Sequence, residues 1–137
     1  MRTNGQERAE FALKMIKEIK IDKKFKSFTA GAPTVILQNG FGQAMAFWLS
    51  KGNGDEEDKK KYKFVFDSVK DWLINKEFIA SDNVSDNENV EFIKKLTTIS
   101  QSEYLIAQKE ALMLLEWIKR FAAAFYDDSQ GKDNHEG

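Results

Sequence analysis

Tyr62, Val65, Phe66, Val69, Trp72 and Leu73 recur at i, i+3, i+4, i+7, i+10 and i+11. Only a helix of about 3.6 residues per turn brings such positions onto one face. The spacing predicts an amphipathic helix from Lys59 to Asn75, with Asp55, Glu56, Glu57 and Asp58 at its start, where acids complement the helix dipole. The same period recurs along the chain. Ala9, Ala12, Ile16 and Ile19 predict a first helix from Gln6 to Ile21. Pro33 favours a first helical position, because the N–H it lacks would be unpaired there, so a second, nearly all-apolar helix is predicted from Pro33 to Ser50. Val90, Ile93, Leu96 and Ile99 predict a short fourth helix behind a Ser85/Glu88 capping box. Ser100 and Glu103 repeat that spacing and open the longest helix, whose stripe runs from Tyr104 through Ala111, Leu115 and Ile118 to Phe125.

One Pro and eight Gly in 137 residues supply too few turns for an all-β domain. The expectation is an all-α fold: a compact single-domain bundle of five to six helices without a sheet, spanning 1–126, followed by a polar, disordered tail at 127–137. Gly40 and Gly42 fall inside the second predicted helix. Each costs about 1 kcal/mol there relative to Ala, so a close helix crossing or backbone approach is expected to need that surface bare.

Catalytic chemistry is hard to assemble from these residues. The chain has no Cys, which removes disulfides, thiolate metal sites and a thiol nucleophile. Its one histidine, His135, lies in the polar tail. No phosphate-loop, HExxH or EF-hand motif occurs, and Gly40-Phe41-Gly42 alone is no phosphate cradle. Glu110, set among Ala107, Ala111 and Leu114, is the best candidate for a tuned carboxylate, and a surface or helix-pairing contact is its more ordinary role. No enzyme activity, cofactor or metal is expected. No signal-peptide core or membrane span is legible, so a cytoplasmic protein without a membrane partner is expected.

The net charge of −1 conceals a partition. Three segments hold eleven net negative charges: the run Asp55 to Asp58, the group Asp82, Asp86, Glu88 and Glu91, and the tail from Asp127. The remainder carries +10. Such asymmetry permits an anionic partner without requiring one; solvated helix faces produce it too. Cations lie near aromatics twice, at Lys20, Lys23, Lys24, Phe25, Lys26 and Phe28, and at Lys119-Arg120-Phe121. Lys and Arg there can neutralise phosphates, while the aromatics, Phe121 above all, also fit a core role.

Three stretches together make a more specific pattern. They are Arg8-Ala9 with Ala12; Pro33 to Ile36 with Asn39-Gly40-Phe41-Gly42-Gln43-Ala44 and Phe47; and Tyr104, Ala107, Glu110-Ala111-Leu112 with Trp117-Ile118-Lys119-Arg120-Phe121-Ala122. In order, spacing and length the chain resembles the small helical subunit of type III-B (Cmr-type) CRISPR effector complexes over residues 6–126. Phe41 departs from the smaller aliphatic residue expected there.

The resemblance implies a non-catalytic all-α subunit that stacks head-to-tail with sibling copies in an inner filament. That filament would run beside the backbone subunits and contact the guide RNA–target RNA duplex, chiefly its target strand, in antiviral defence. Cleavage would belong to the backbone subunits, and signalling to the large subunit. Acidic loops and basic helix faces would form opposite poles for stacking. The candidate RNA-binding residues are Arg8, Lys119 and Arg120, which sit in the family-like stretches, and Lys14, Lys17 and Lys51, chosen from local charge alone. The other reading is a free-standing helical adaptor that binds protein through its aromatic surface without touching RNA.

Overall fold

The computed structural model describes residues 2–80 and 87–127, and among them it contains six α-helices and no strand. The helices are α1 (Asn4–Ile16), α2 (Lys23–Asn39), α3 (Phe41–Lys51), α4 (Lys60–Asn75), α5 (Glu88–Thr98) and α6 (Gln101–Phe125). A 3-10 turn, Glu57–Lys59, leads into α4. Ser85 and most of the predicted tail lie outside the described residues.

Local chemistry sets the helix boundaries, not always where periodicity alone puts them. Thr3 caps α1 with a reciprocal pair: its Oγ1 accepts from the Gln6 N–H at 3.0 Å, and its own N–H donates to Gln6 Oε1 at 2.9 Å. This helix ends at Ile16, five residues before the expected end, although Ile19 and Ile21 continue the apolar period. The cause is Asp22, which caps a new helix by accepting from the Phe25 N–H at 2.7 Å.

Pro33 is therefore inside α2 rather than at its start. It belongs to a buried stripe with Phe25, Thr29, Ala32 and Ile36. Burial of that stripe outweighs the roughly 3 kcal/mol that an interior proline costs a helix. The expected single helix to Ser50 is broken at Gly40, whose φ of 91° and ψ of 153° belong to glycine alone. Gly40 ends one helix and begins the next: its N–H donates to Ile36 O at 2.8 Å, and its carbonyl accepts from Ala44 N at 3.0 Å. A Cβ at Gly40 would meet nothing within 4 Å, so conformation and not crowding requires glycine there.

α4 follows its predicted stripe, with Val65, Phe66, Val69, Trp72 and Leu73 buried. It ends in a Schellman motif: Phe78 N–H donates to Leu73 O at 2.9 Å and Glu77 N–H to Ile74 O at 3.0 Å, with Glu77 at a φ of 62°. In α5 the buried residues are Phe92 and Leu96, while Val90 faces solvent, so the apolar face is rotated from the predicted one.

α6 is the spine, packed by α1, α2 and α4. Lys26 lies over the Tyr126 ring at one end of α2, and Gly42, just beyond its other end, donates to Tyr104 Oη at 2.8 Å, so α2 runs antiparallel to α6. A short connection joins the end of α1 to the start of α2, and Arg8 meets Glu110, so α1 runs parallel to α6.

Candidate nucleic-acid interface

That parallel alignment gathers cations from distant parts of the chain. Lys14 stands in the last turn of α1, Lys17 caps it, and Lys119 and Arg120 lie toward the corresponding end of α6. Lys14, Lys17 and Arg120 are exposed and Lys119 is half-buried. Among the described residues none of the four is paired with a carboxylate. Lys51, the last residue of α3, is exposed, its Nζ 5.8 Å from the Phe47 ring centre.

Arg8 is placed apart from the other five. It is 7% exposed, and its guanidinium grips Glu110 with both arms: Nε to Oε1 at 3.1 Å and Nη2 to Oε2 at 3.0 Å. Trp72 Nε1 adds a third donor to Glu110 Oε1 at 3.0 Å. One carboxylate thus ties α1, α4 and α6 together, and the Arg8 charge is neutralised inside the protein, where a phosphate does not reach it. Glu110 has the helix-pairing role that its apolar sequence context suggests.

The second cationic group divides in a similar way. Phe25 is core, edge-on to Phe64 at 5.2 Å, and Phe28 packs edge-on against Tyr62 at 4.9 Å. Lys26 instead reaches across to α6 and sits 4.7 Å above the Tyr126 ring. This contact joins residues a hundred positions apart, and spacing carries no sign of it. Lys20, Lys24, Lys60 and Lys61 surround a hollow of about 330 Å³ that also contains Asp22, Glu57 and Asp58. The acidic run therefore meets the basic segment instead of forming an opposite pole. Within the run, Glu56 pairs with Lys59 at 3.1 Å and Glu57 with Lys60 at 2.9 Å.

A larger groove of about 1040 Å³ lies between the end of α3, α4 and the start of α5. Lys70, nearly buried, donates to Asn89 Oδ1 at 2.8 Å at its edge and fastens α5 to α4. Burial pushes the carboxyls of Asp67 and Asp71 above their usual range, with Lys70 opposing the shift. Glu7 is held below its usual range by its hydrogen bond from Lys76. Among the described residues no group of three or more His, Cys, Asp and Glu is arranged to hold a metal, and no helix is long and apolar enough to cross a membrane.

Known proteins match this chain in sequence pattern and in fold. The family model of the CRISPR-associated protein Cas_Cmr5 matches residues 4–125. The crystal structure of a CRISPR-associated Cmr5 family protein from Thermus thermophilus shares the fold, with a TM-score of 0.61 at 22% identity. That match covers 90% of this chain and 97% of the other.

Proposed function

The chain belongs to the Cmr5 family of CRISPR-associated proteins, small subunits of the type III-B Cmr complex, and on that premise we propose that it is a non-catalytic structural subunit that stacks with sibling copies and contacts the guide RNA–target RNA duplex, mainly through the target strand. Its partners in this reading are the backbone and large subunits of the complex, in the cytoplasm.

The observation that carries the RNA contact is the convergence of Lys14, Lys17, Lys119 and Arg120 at one end of the α1–α6 pair, all without a carboxylate partner among the described residues. Unpaired surface cations suit phosphates, which give affinity without sequence readout. Base pairing with the guide supplies the specificity, as in RNA-guided recognition generally. Lys51 joins this set from α3, while Arg8 does not, being held by Glu110. Stacking is supported at the other end of the bundle. There Leu37, near the end of α2, and Leu105 and Ile106, at the start of α6, are all more than half exposed. A covering protein would remove this apolar surface from water.

Two experiments test the reading. The tagged chain, expressed with its neighbouring genes, is expected to co-purify with guide RNA and sibling subunits; recovery as a lone, RNA-free monomer would overturn it. In the assembled complex, Lys119→Glu with Arg120→Glu should weaken target-RNA binding and flatten its salt dependence while the helical circular dichroism is kept. Unchanged binding across a salt series would remove both residues from the interface.

A further inference from the structure

The surface at the end of α6 contains more than charge. Trp117, Phe121 and Phe125 stand four residues apart and form a row of touching rings. The first two centroids are 5.4 Å apart at 32°, the next two 5.8 Å apart at 10°. The row leaves the protein as it proceeds: Trp117 and Phe121 are half-buried against the core, and Phe125 is 52% exposed. An i,i+4 row that served only the core would end covered. This one ends with a nearly parallel ring that is half open to solvent.

Cations flank the row. Arg120 is one turn from Trp117 on the same helix, and Lys26 lies over the neighbouring Tyr126 at 4.7 Å. Lysine is depleted at protein–protein interfaces, and Lys26 stands at the end of this row. An aromatic row with one cation a turn along its own helix and another at the adjoining ring is instead what single-stranded nucleic acid uses, with a base on a ring and its phosphates on the cations.

We propose that Phe125, backed by Phe121 and Trp117, is a stacking platform for an unpaired base of the bound RNA strand, with Arg120 and Lys26 holding the adjoining phosphates. This rests on the RNA-contacting role above and adds a base contact to it. Every base has a π-face, so the platform needs no particular sequence. It would take a nucleotide displaced from the duplex or one beyond its end.

The test uses the assembled complex and a series of target RNAs, each with 5-iodouridine at a single position. At one or more positions, photocrosslinking to Phe125 is expected. Phe125→Ala should lower that crosslink yield about tenfold, the scale of one lost base stack; Phe125→Tyr should keep it. Phe125→Ala should also leave the salt dependence of binding unchanged, since it removes no charge, whereas Arg120→Glu should reduce it. Absence of crosslinking at every position, with Arg120→Glu still weakening binding, would overturn the platform and leave the phosphate contact standing. If neither variant alters binding and no crosslink forms, the platform is overturned and Arg120 leaves the interface with it; if Lys14→Glu, Lys17→Glu and Lys119→Glu also leave binding unchanged, the RNA-contacting role itself fails. Loss of assembly in Phe125→Ala, with Phe125→Tyr assembling normally, would show that the row is covered by protein, and would also overturn the platform.

Discussion

Replacing Glu110 by glutamine should destabilise the protein far more than loss of one surface charge would. The substitution preserves shape, and the new amide oxygen can still accept from Trp72 Nε1, now at 3.0 Å from Glu110 Oε1. What it removes is the negative charge facing Arg8, whose side chain is only 9% exposed. Breaking a buried ion pair from one side costs about 3–5 kcal/mol, because the remaining charge stays buried without compensation. For a chain of this size each kcal/mol lowers the melting temperature by about 3 °C, so a fall of roughly 10–15 °C is expected. Arg8→Met should cost a similar amount, by leaving the carboxylate alone. The double variant, Arg8→Met with Glu110→Gln, contains no buried charge at this site and keeps the indole hydrogen bond. It should return to within about 1–2 kcal/mol of the parent, since removing both charges together leaves no uncompensated ion in the interior. Urea denaturation followed by far-ultraviolet circular dichroism measures all four proteins and closes the cycle. Single variants within about 0.5 kcal/mol of the parent, or a double variant showing the sum of both losses, would refute the reasoning: either result would mean that the two charges do not depend on one another.

Other perturbations test the backbone and the half-buried carboxyl of Asp67. Gly40→Ala should destabilise by about 2 kcal/mol despite the empty space around it, because an L side chain is strained at that φ and ψ; an unchanged urea midpoint would contradict this. Glu77→Gly should stabilise by about 1 kcal/mol, since glycine occupies the left-handed end of α4 without a Cβ penalty, and differential scanning calorimetry should show a higher midpoint. Asp67→Asn should stabilise the protein at neutral pH, where burial makes the ionised carboxylate unfavourable. The raised folded-state pKa means that the parent is relatively most stable below the ordinary aspartate value of 3.8 and loses stability as pH rises through the folded value. The advantage of the variant should therefore vanish in acid, and a gain independent of pH would point to another cause.

The architecture was legible where one period governed a whole element. α4 follows its stripe from Val65 to Leu73, and the Ser100 cap of α6 is where its spacing places it, accepting from Glu103 N at 3.1 Å. Boundaries failed where two signals competed. Ile19 and Ile21 prolong the apolar period of α1 in sequence, yet Asp22 starts another helix one residue after Ile21. Pro33 obeys a local preference for helix starts, and a stripe beginning at Phe25 overrides it. In the candidate site the exposed lysines could be named from charge alone. The fate of Arg8 could not, because the carboxylate that holds it lies 102 residues further along the chain. Glu110 was recognisable from its apolar neighbours, but nothing in their spacing identifies which cation it meets.

That separation also governs how the protein is made. Ribosomes add about 5–20 residues each second, so α1 emerges from the tunnel roughly 5–20 s before the segment containing Glu110. During this interval Arg8 has no acceptor and the apolar faces of α1, α2 and α4 lack the spine that covers them. The core that α1, α2 and α4 begin is closed by α6. A message truncated anywhere before α6 yields a product with open apolar surfaces and a stranded guanidinium, which is a substrate for chaperones and proteases rather than a shorter working subunit.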